Sequence, residues 1–204
     1  MKALIKESIA AGMSYDDYRS LVSNLLIDHK STGSDQSEAL TNYSLLNDRR
    51  MKRLDKTLTL SDVTTNALHN LTTPQTWLVL TEGWCGDAAQ NIPVLNKLAE
   101  ESQVIDLKLV LRDEHTGLMD QFLTKGSRSI PKLISVDDNY NILFTWGPRP
   151  SEAAKMIATY KEQHGIIDAP IKEALQIWYN KNKGENLAED LLRLLDITKK
   201  VASV

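Results

Sequence analysis

The spacing of apolar residues predicts helices in the first part of the chain. The clearest pattern follows Ser14, a residue type common at helix N-caps, and places Tyr15, Tyr18, Leu21 and Leu25 on one face of a helix. Further helices are predicted over 3–10, 37–54 and 61–71, the last capped by Ser61 or Asp62, with a polar loop over 31–35. Residues 1–60 are therefore predicted to form an amino-terminal helical extension.

The pattern changes at Trp77, where short apolar runs replace the helical spacing. The run 77–80 lies between Pro74 and Gly83 and predicts a buried strand. Strands are also predicted at 104–111, 129–136 and 141–146, and helices after Cys85, over 116–124 and over 151–164, the last capped by Ser151. Residues 61–166 are therefore predicted to form one α/β domain with the order β-α-β-α-β-β-α.

Two more helices are predicted after this domain. Asp168 is expected to cap the first, which carries Ile171, Leu175 and Trp178 on one face. The second helix follows Gly184 and has leucines at helical spacing. We therefore expect residues 167–204 to form a helical pair packed on the core.

The single cysteine, Cys85, lies between the first predicted strand and the helix that follows it. Unpaired N–H groups and the positive end of the macrodipole at a helix N-terminus stabilise a thiolate, so this position predicts a pKa below the usual value of about 8.5. The alternative interpretation is a small buried apolar residue without reactivity. One cysteine excludes an internal disulfide and disfavours a disulfide-stabilised secreted fold.

Residues 84–88 read Trp-Cys-Gly-Asp-Ala, directly after the predicted buried strand. This arrangement resembles the thioredoxin superfamily, in which a strand, Trp-Cys-x-x-Cys and a helix form the active site. It resembles more closely the bacterial thioredoxin-like proteins that carry Trp-Cys-Gly-Asp. The resemblance implies a thioredoxin-like α/β fold, a mixed central sheet flanked by helices, here with helical extensions at both ends. Ala88 replaces the second cysteine, so an intramolecular disulfide is not possible.

The resemblance also implies a set of site residues around the cysteine. Trp84 and the pair Ile130-Pro131 would form the substrate-docking groove, with Pro131 in the cis form, although sequence alone favours a trans bond. Gly86 and the amides after it would orient the sulfur. Asp87 has two interpretations, a capping carboxylate in the first helical turn or a proton donor and acceptor for the thiol. Its negative charge would also oppose thiolate formation.

Several positions depart from the pattern of related families. Val79 stands where thioredoxins bury an aspartate, and Trp-Gly-Pro-Arg at 146–149 replaces the Gly-Gly-x-Asp turn with which glutaredoxins bind glutathione. Arg128 or Arg149 is a candidate for holding a carboxylate. The basic run 49–53 has two interpretations: it complements a helix C-terminus, or it forms a site for an anion or an acidic partner.

Charge and composition narrow the classes of partner. The 24 basic and 27 acidic residues give a net charge of −3, which predicts neither a nucleic-acid nor an anionic-membrane partner. The histidines are scattered and no glycine-rich phosphate loop is present, so no metal and no cofactor is expected. The first residues lack the uninterrupted apolar core of a signal peptide and no run approaches transmembrane length, which predicts a cytoplasmic protein.

Two functional hypotheses follow from these patterns. In the first, the chain is a monothiol redox protein whose Cys85 thiolate forms mixed disulfides with a protein or a low-molecular-weight thiol, and an outside thiol resolves them. In the second, the chain is a redox-inactive thioredoxin-fold module that binds a protein partner. The loss of the second cysteine favours the second hypothesis. The retained Trp84, Cys85 and Gly86, which packing does not demand, favour the first.

Overall fold

The computed structural model describes the backbone of residues 1–202 and the side chains of residues 1–195; residues 203 and 204 of the predicted carboxy-terminal pair lie outside the described residues. The elements in chain order are α1 (Lys2–Ala11), α2 (Tyr15–Ile27), α3 (Glu38–Thr57), α4 (Asp62–His69), β1 (Gln75–Thr81), α5 (Gly86–Glu100), β2 (Ile105–Leu111), α6 (Thr116–Met119), β3 (Lys132–Val136), β4 (Ile142–Trp146), α7 (Ser151–His164), α8 (Ala169–Asn182) and α9 (Glu185–Ala202). None of the described helices has the length and apolarity needed to cross a bilayer.

The four strands form one mixed sheet in the order β2-β1-β3-β4. Strand β1 pairs in parallel with β2 and antiparallel with β3, and β4 pairs antiparallel with β3. Helices cover both faces of the sheet, so the α/β class predicted from the alternation of strand and helix patterns is confirmed. The parallel β1–β2 pair requires a crossover, and α5 provides it.

The continuous apolar run of β1 is explained by burial on both faces of the sheet. Trp77, Leu78, Val79 and Leu80 are all 0% exposed. Because side chains alternate along a strand, Trp77 and Val79 pack into a cluster with α2, α3, α5 and α9, whereas Leu78 and Leu80 pack against α1 and α6 on the other face. A strand with one solvent-facing side would have needed polar residues at alternate positions.

Two predicted elements are shorter than expected. The helix predicted over 116–124 ends at Met119, after which the N–H groups of Gln121 and Phe122 bond to carbonyl oxygens only three residues earlier, at 3.0 Å each. The strand predicted over 129–136 begins only at Lys132. Pro131 has no N–H group with which to extend the ladder, which accounts for the later start.

The prediction that Ser151 caps α7 is wrong. Pro150 is the N-cap residue, and Ser151 is the first residue of the helix. The Ser151 N–H group and hydroxyl both donate to the carboxylate of Asp190 on α9, at 2.7 Å each. A carboxylate from a distant helix therefore takes the place of a local cap. Asp168 does occupy the N-cap position of α8, but its side chain accepts from the Tyr160 hydroxyl instead.

The amino-terminal helices share the main hydrophobic core with the sheet. Tyr18, Val22 and Met51 belong to the same cluster of buried residues as Trp77. In addition, Met13 exchanges two backbone hydrogen bonds with Leu109, at 2.8 and 2.9 Å, along the outer edge of β2. These contacts cover a strand edge that would otherwise expose unpaired backbone groups. The boundaries at 60 and 166 stay predictions.

Residues of the amino-terminal segment also fix the loop that leads to the cysteine. The Gly83 N–H group donates to Thr32 Oγ1 at 2.8 Å, and Asn47 Nδ2 donates to the Gly83 carbonyl oxygen at 2.9 Å. Both bonds are buried, and Asn47 itself is 0% exposed. Both backbone groups of Gly83 are thus satisfied by residues that precede the sheet in the chain.

We predict that Asn47→Ala destabilises the fold, because the Gly83 carbonyl would lose its donor in a buried environment. The expected loss in free energy of unfolding is about 1–3 kcal/mol, measured by urea denaturation. Asn66→Ala on the exposed face of α4 is the matched control, with the same gain in helix propensity and no buried bond to lose. Equal stabilities of the two variants would contradict the prediction.

Candidate functional site

Cys85 occupies the N-cap position of α5 and contacts the turn before β3. Its Sγ atom accepts a hydrogen bond from the Ala88 N–H group at 3.4 Å, and its thiol donates to the Ile130 carbonyl oxygen at 3.3 Å. The bond between Ile130 and Pro131 is cis. The structure thus brings together Cys85, the first turn of α5 and the Ile130-Pro131 pair. Cys85 keeps partial exposure to solvent.

The electrostatic environment of Cys85 differs from the sequence prediction. Burial of the thiol group, followed by the nearby Asp87 carboxylate, raises the pKa of Cys85 to about 12. The N–H groups of Ala88 and Asp87 and the charge of Arg149 lower this pKa, but they do not outweigh desolvation. The predicted lowering of the pKa is therefore wrong, and the group is a protonated thiol at neutral pH.

Asp87 is held between two side chains from the carboxy-terminal half of the chain. Its Oδ2 atom pairs with Arg149 Nη2 at 2.7 Å, and its Oδ1 atom accepts from the Tyr179 hydroxyl at 2.9 Å. Burial raises the pKa of Asp87, while Arg149 and Tyr179 oppose this shift. The side chain is 11% exposed, so the carboxylate is shielded from solvent and remains engaged with its partners.

Asn91 and Tyr179 extend this network into the helices. Asn91 Nδ2 donates to the Tyr179 hydroxyl oxygen at 3.0 Å and to the Asp87 carbonyl oxygen at 2.8 Å. Sequence reasoning missed both residues. Asn91 lies one helical turn after Asp87 and could have been suspected from that spacing, but Tyr179 lies on α8, and no local pattern links it to the cysteine.

Arg149 reaches the site because of the backbone conformation before it. Gly147 has a φ of +112°, and a Cβ atom at this position would collide with the Pro131 carbonyl oxygen. Only glycine fits there, and the close approach places the segment with Arg149 beside the turn at Pro131. Arg128, the other predicted carboxylate holder, pairs with Asp120 at 2.6 Å instead.

The two predicted apolar docking residues have different environments. Trp84 is partly exposed, and the Arg112 guanidinium lies 4.8 Å from its ring centroid. The side chain of Ile130 is only 5% exposed and belongs to the second core cluster. Ile130 can therefore meet a ligand through its backbone rather than its side chain. Within the described residues, no three His, Cys, Asp or Glu side chains are grouped as a metal site requires.

Comparisons with known proteins identify the family and the fold. A family model described as thioredoxin matches residues 33–161. The crystal structure of a Pseudomonas aeruginosa protein of unknown function has a TM-score of 0.64 and 17% identity, covering 94% of this chain and 96% of that one. The crystal structure of an HIV epitope-scaffold has a TM-score of 0.56 and 16% identity, covering 85% of this chain and 96% of that one. At these identities the structural similarity concerns the fold alone. The curated proteins give no match.

We predict that Asp87→Asn speeds alkylation of Cys85 by iodoacetamide at pH 8. Removing the carboxylate removes a like charge that raises the thiol pKa, so the thiolate fraction should increase about three- to tenfold. Asp106→Asn, on the exposed end of β2, is the matched control and should react at the wild-type rate. A rate for Asp87→Asn at or below wild type would show that Asp87 does not raise the thiol pKa.

Proposed function

The chain belongs to the thioredoxin family whose model covers residues 33–161, and from this premise we propose that it is a monothiol thiol–disulfide exchange protein. The supporting observation is the position of Cys85, a partly exposed residue whose thiol lies between the Ala88 amide and the Ile130 carbonyl, beside cis-Pro131. A substrate disulfide lying along Trp84 and the Ile130-Pro131 backbone would present a sulfur atom to Sγ.

The proposed reaction is an exchange without net oxidation. Cys85 loses its proton to the Asp87 carboxylate or to hydroxide, and the thiolate attacks one sulfur atom of a disulfide. The substrate S–S bond breaks, a Cys85–substrate S–S bond forms, and the leaving thiolate takes up a proton. An outside thiol then attacks the mixed disulfide and returns Cys85 to its thiol form. Ala88 provides no second sulfur, so this last step is intermolecular.

The raised pKa sets the expected rate of this chemistry. With a pKa of about 12, only about one thiol in 10⁵ is ionised at pH 7. Exchange in the free protein should therefore be slow at neutral pH and increase about tenfold for each pH unit up to pH 10. Burial raises the pKa of Asp87 above its usual value, which favours the role of proton acceptor in the proposed exchange.

The alternative function is a redox-inactive module that holds a protein partner in the same groove. Two observations favour it: the thiol is protonated and bonded to the Ile130 carbonyl, and Ala88 supplies no resolving sulfur. The exchange proposal is preferred because Cys85 as a residue is not fully buried, and a purely structural cysteine does not need such exposure. We place the protein in the bacterial cytoplasm, with a protein or a low-molecular-weight thiol or disulfide as partner.

We predict that wild-type protein incubated with a small disulfide such as glutathione disulfide at pH 9 forms one mixed disulfide per chain. Mass spectrometry of the intact protein measures this adduct, and dithiothreitol should remove it. Cys85→Ser is the control and should form none, since no other sulfhydryl exists. If the native wild-type protein stays unmodified while an unfolded sample reacts, the exchange function is refuted. The redox-inactive binding module then remains as the proposed function.

A further inference from the structure

Two hydrogen-bond donors from distant helices face the open side of Gly86, next to the cysteine. A Cβ atom built on Gly86 would lie 3.5 Å from Arg50 Nη1 on α3 and 3.9 Å from Gln176 Nε2 on α8. Both distances are ordinary van der Waals contacts. The absent side chain of Gly86 therefore leaves a small space with a cation on one side and an amide donor on the other.

Arg50 lacks a compensating anion of its own. Its Nη1 atom donates to Asn47 Oδ1 at 2.9 Å. Among the described residues, no carboxylate oxygen forms an ion pair with Arg50 within 4.0 Å. Burial and the neighbouring Arg53 lower the pKa of Arg50, while the charge of Asp87 acts in the opposite direction. A half-buried cation without a close counterion is stabilised by any anion that reaches it.

The side chains of Gln176 and Arg149, which lie near Arg50 and Gly86, are oriented by hydrogen bonds or ion pairs with other residues. The Gln176 Oε1 atom accepts from Gln90 Nε2 at 2.9 Å, so its Nε2 donor is directed towards Gly86. Arg149 uses Nη2 for Asp87, and its Nε atom is buried without a partner. Arg50 and Arg149 together carry two positive charges against the single carboxylate of Asp87.

We propose that the corner formed by Arg50, Gly86 and Gln176 binds the carboxylate of a small anionic substrate whose sulfur atom reacts with Cys85. This inference rests on the proposed function and specifies its substrate class as a low-molecular-weight disulfide or thiol that carries a carboxylate. Arg50 belongs to the basic run 49–53, so this run provides one inward-facing cation for the site in addition to its exposed residues.

The binding site is tested by reagents that need no disulfide exchange. Iodoacetate and iodoacetamide differ in charge but hardly in size. The rate constant for iodoacetate divided by that for iodoacetamide, both measured with Cys85, therefore reports recognition of a carboxylate near the sulfur. The ratio measured on native protein is divided by that of the urea-unfolded chain. We expect a native ratio about tenfold above the unfolded one at low salt, falling as ionic strength rises.

Two variants and one control locate the effect. Arg50→Gln should bring the ratio close to the unfolded value, and Arg49→Gln, an exposed neighbour with the same change in charge, should keep the wild-type ratio. Gly86→Ala should lower the ratio without lowering the melting temperature, because its methyl group fills the space at contacts of 3.5 and 3.9 Å. A native ratio equal to the unfolded one, or an unchanged ratio in Arg50→Gln, would overturn the proposal.

The same proteins distinguish failure of the site from failure of the proposed function. Dithiodipropionate, hydroxyethyl disulfide and cystamine are anionic, neutral and cationic disulfides of similar size. Faster exchange with the anionic disulfide, lost in Arg50→Gln, would support both proposals. A high iodoacetate ratio without any disulfide exchange would support the anion site and refute the exchange function. Exchange at equal rates with all three disulfides would refute the anion site alone.

Discussion

The position of the cysteine depends on the two buried hydrogen bonds of Gly83. Thr32 and Asn47 bind its N–H group and its carbonyl, and the Cys85 N–H group in turn donates to the Glu82 carbonyl at 3.1 Å. The loop between β1 and α5 is therefore fixed by Thr32, in the loop between α2 and α3, and by Asn47 on α3. In physical terms this amino-terminal segment is part of the site, and the same α3 that supplies Asn47 also supplies Arg50.

Competing electrostatic effects decide the state of the thiol. A helix N-terminus stabilises a negative charge by about 0.3–1 kcal/mol, which corresponds to less than one pKa unit. Desolvation and the adjacent Asp87 act against it and are larger, so the thiol stays protonated. Arg149 and Tyr179 keep Asp87 in place beside the sulfur. In the exchange that we propose, Asp87 would accept the thiol proton once a substrate displaces the bond to the Ile130 carbonyl.

The sequence was sufficient to predict the parts of the structure that depend on local patterns. The apolar run at 77–80, the N-cap position of Cys85 and the strand after Pro131 follow from periodicity and turn chemistry, and the resemblance implied the cis form of Pro131. The direction of the Cys85 pKa was wrong because burial is a tertiary property. Gln176 and Tyr179 were missed, and Arg50 was predicted only as one member of the basic run 49–53, because helices far apart in the chain bring these residues close to the cysteine. Ser151 was misassigned for the same reason, since its partner Asp190 lies on another helix.

The most direct test of this account is an NMR titration of protein labelled with ¹³C at the Cys85 Cβ atom. A single cysteine gives a single resonance, and its chemical shift distinguishes thiol from thiolate without any reagent. We predict that the shift stays at the thiol value up to about pH 10 and changes only above it, whereas the unfolded chain titrates at about pH 8.5. A native transition at or below that of the unfolded chain would contradict it, because the helix N-terminus would then outweigh burial and Asp87.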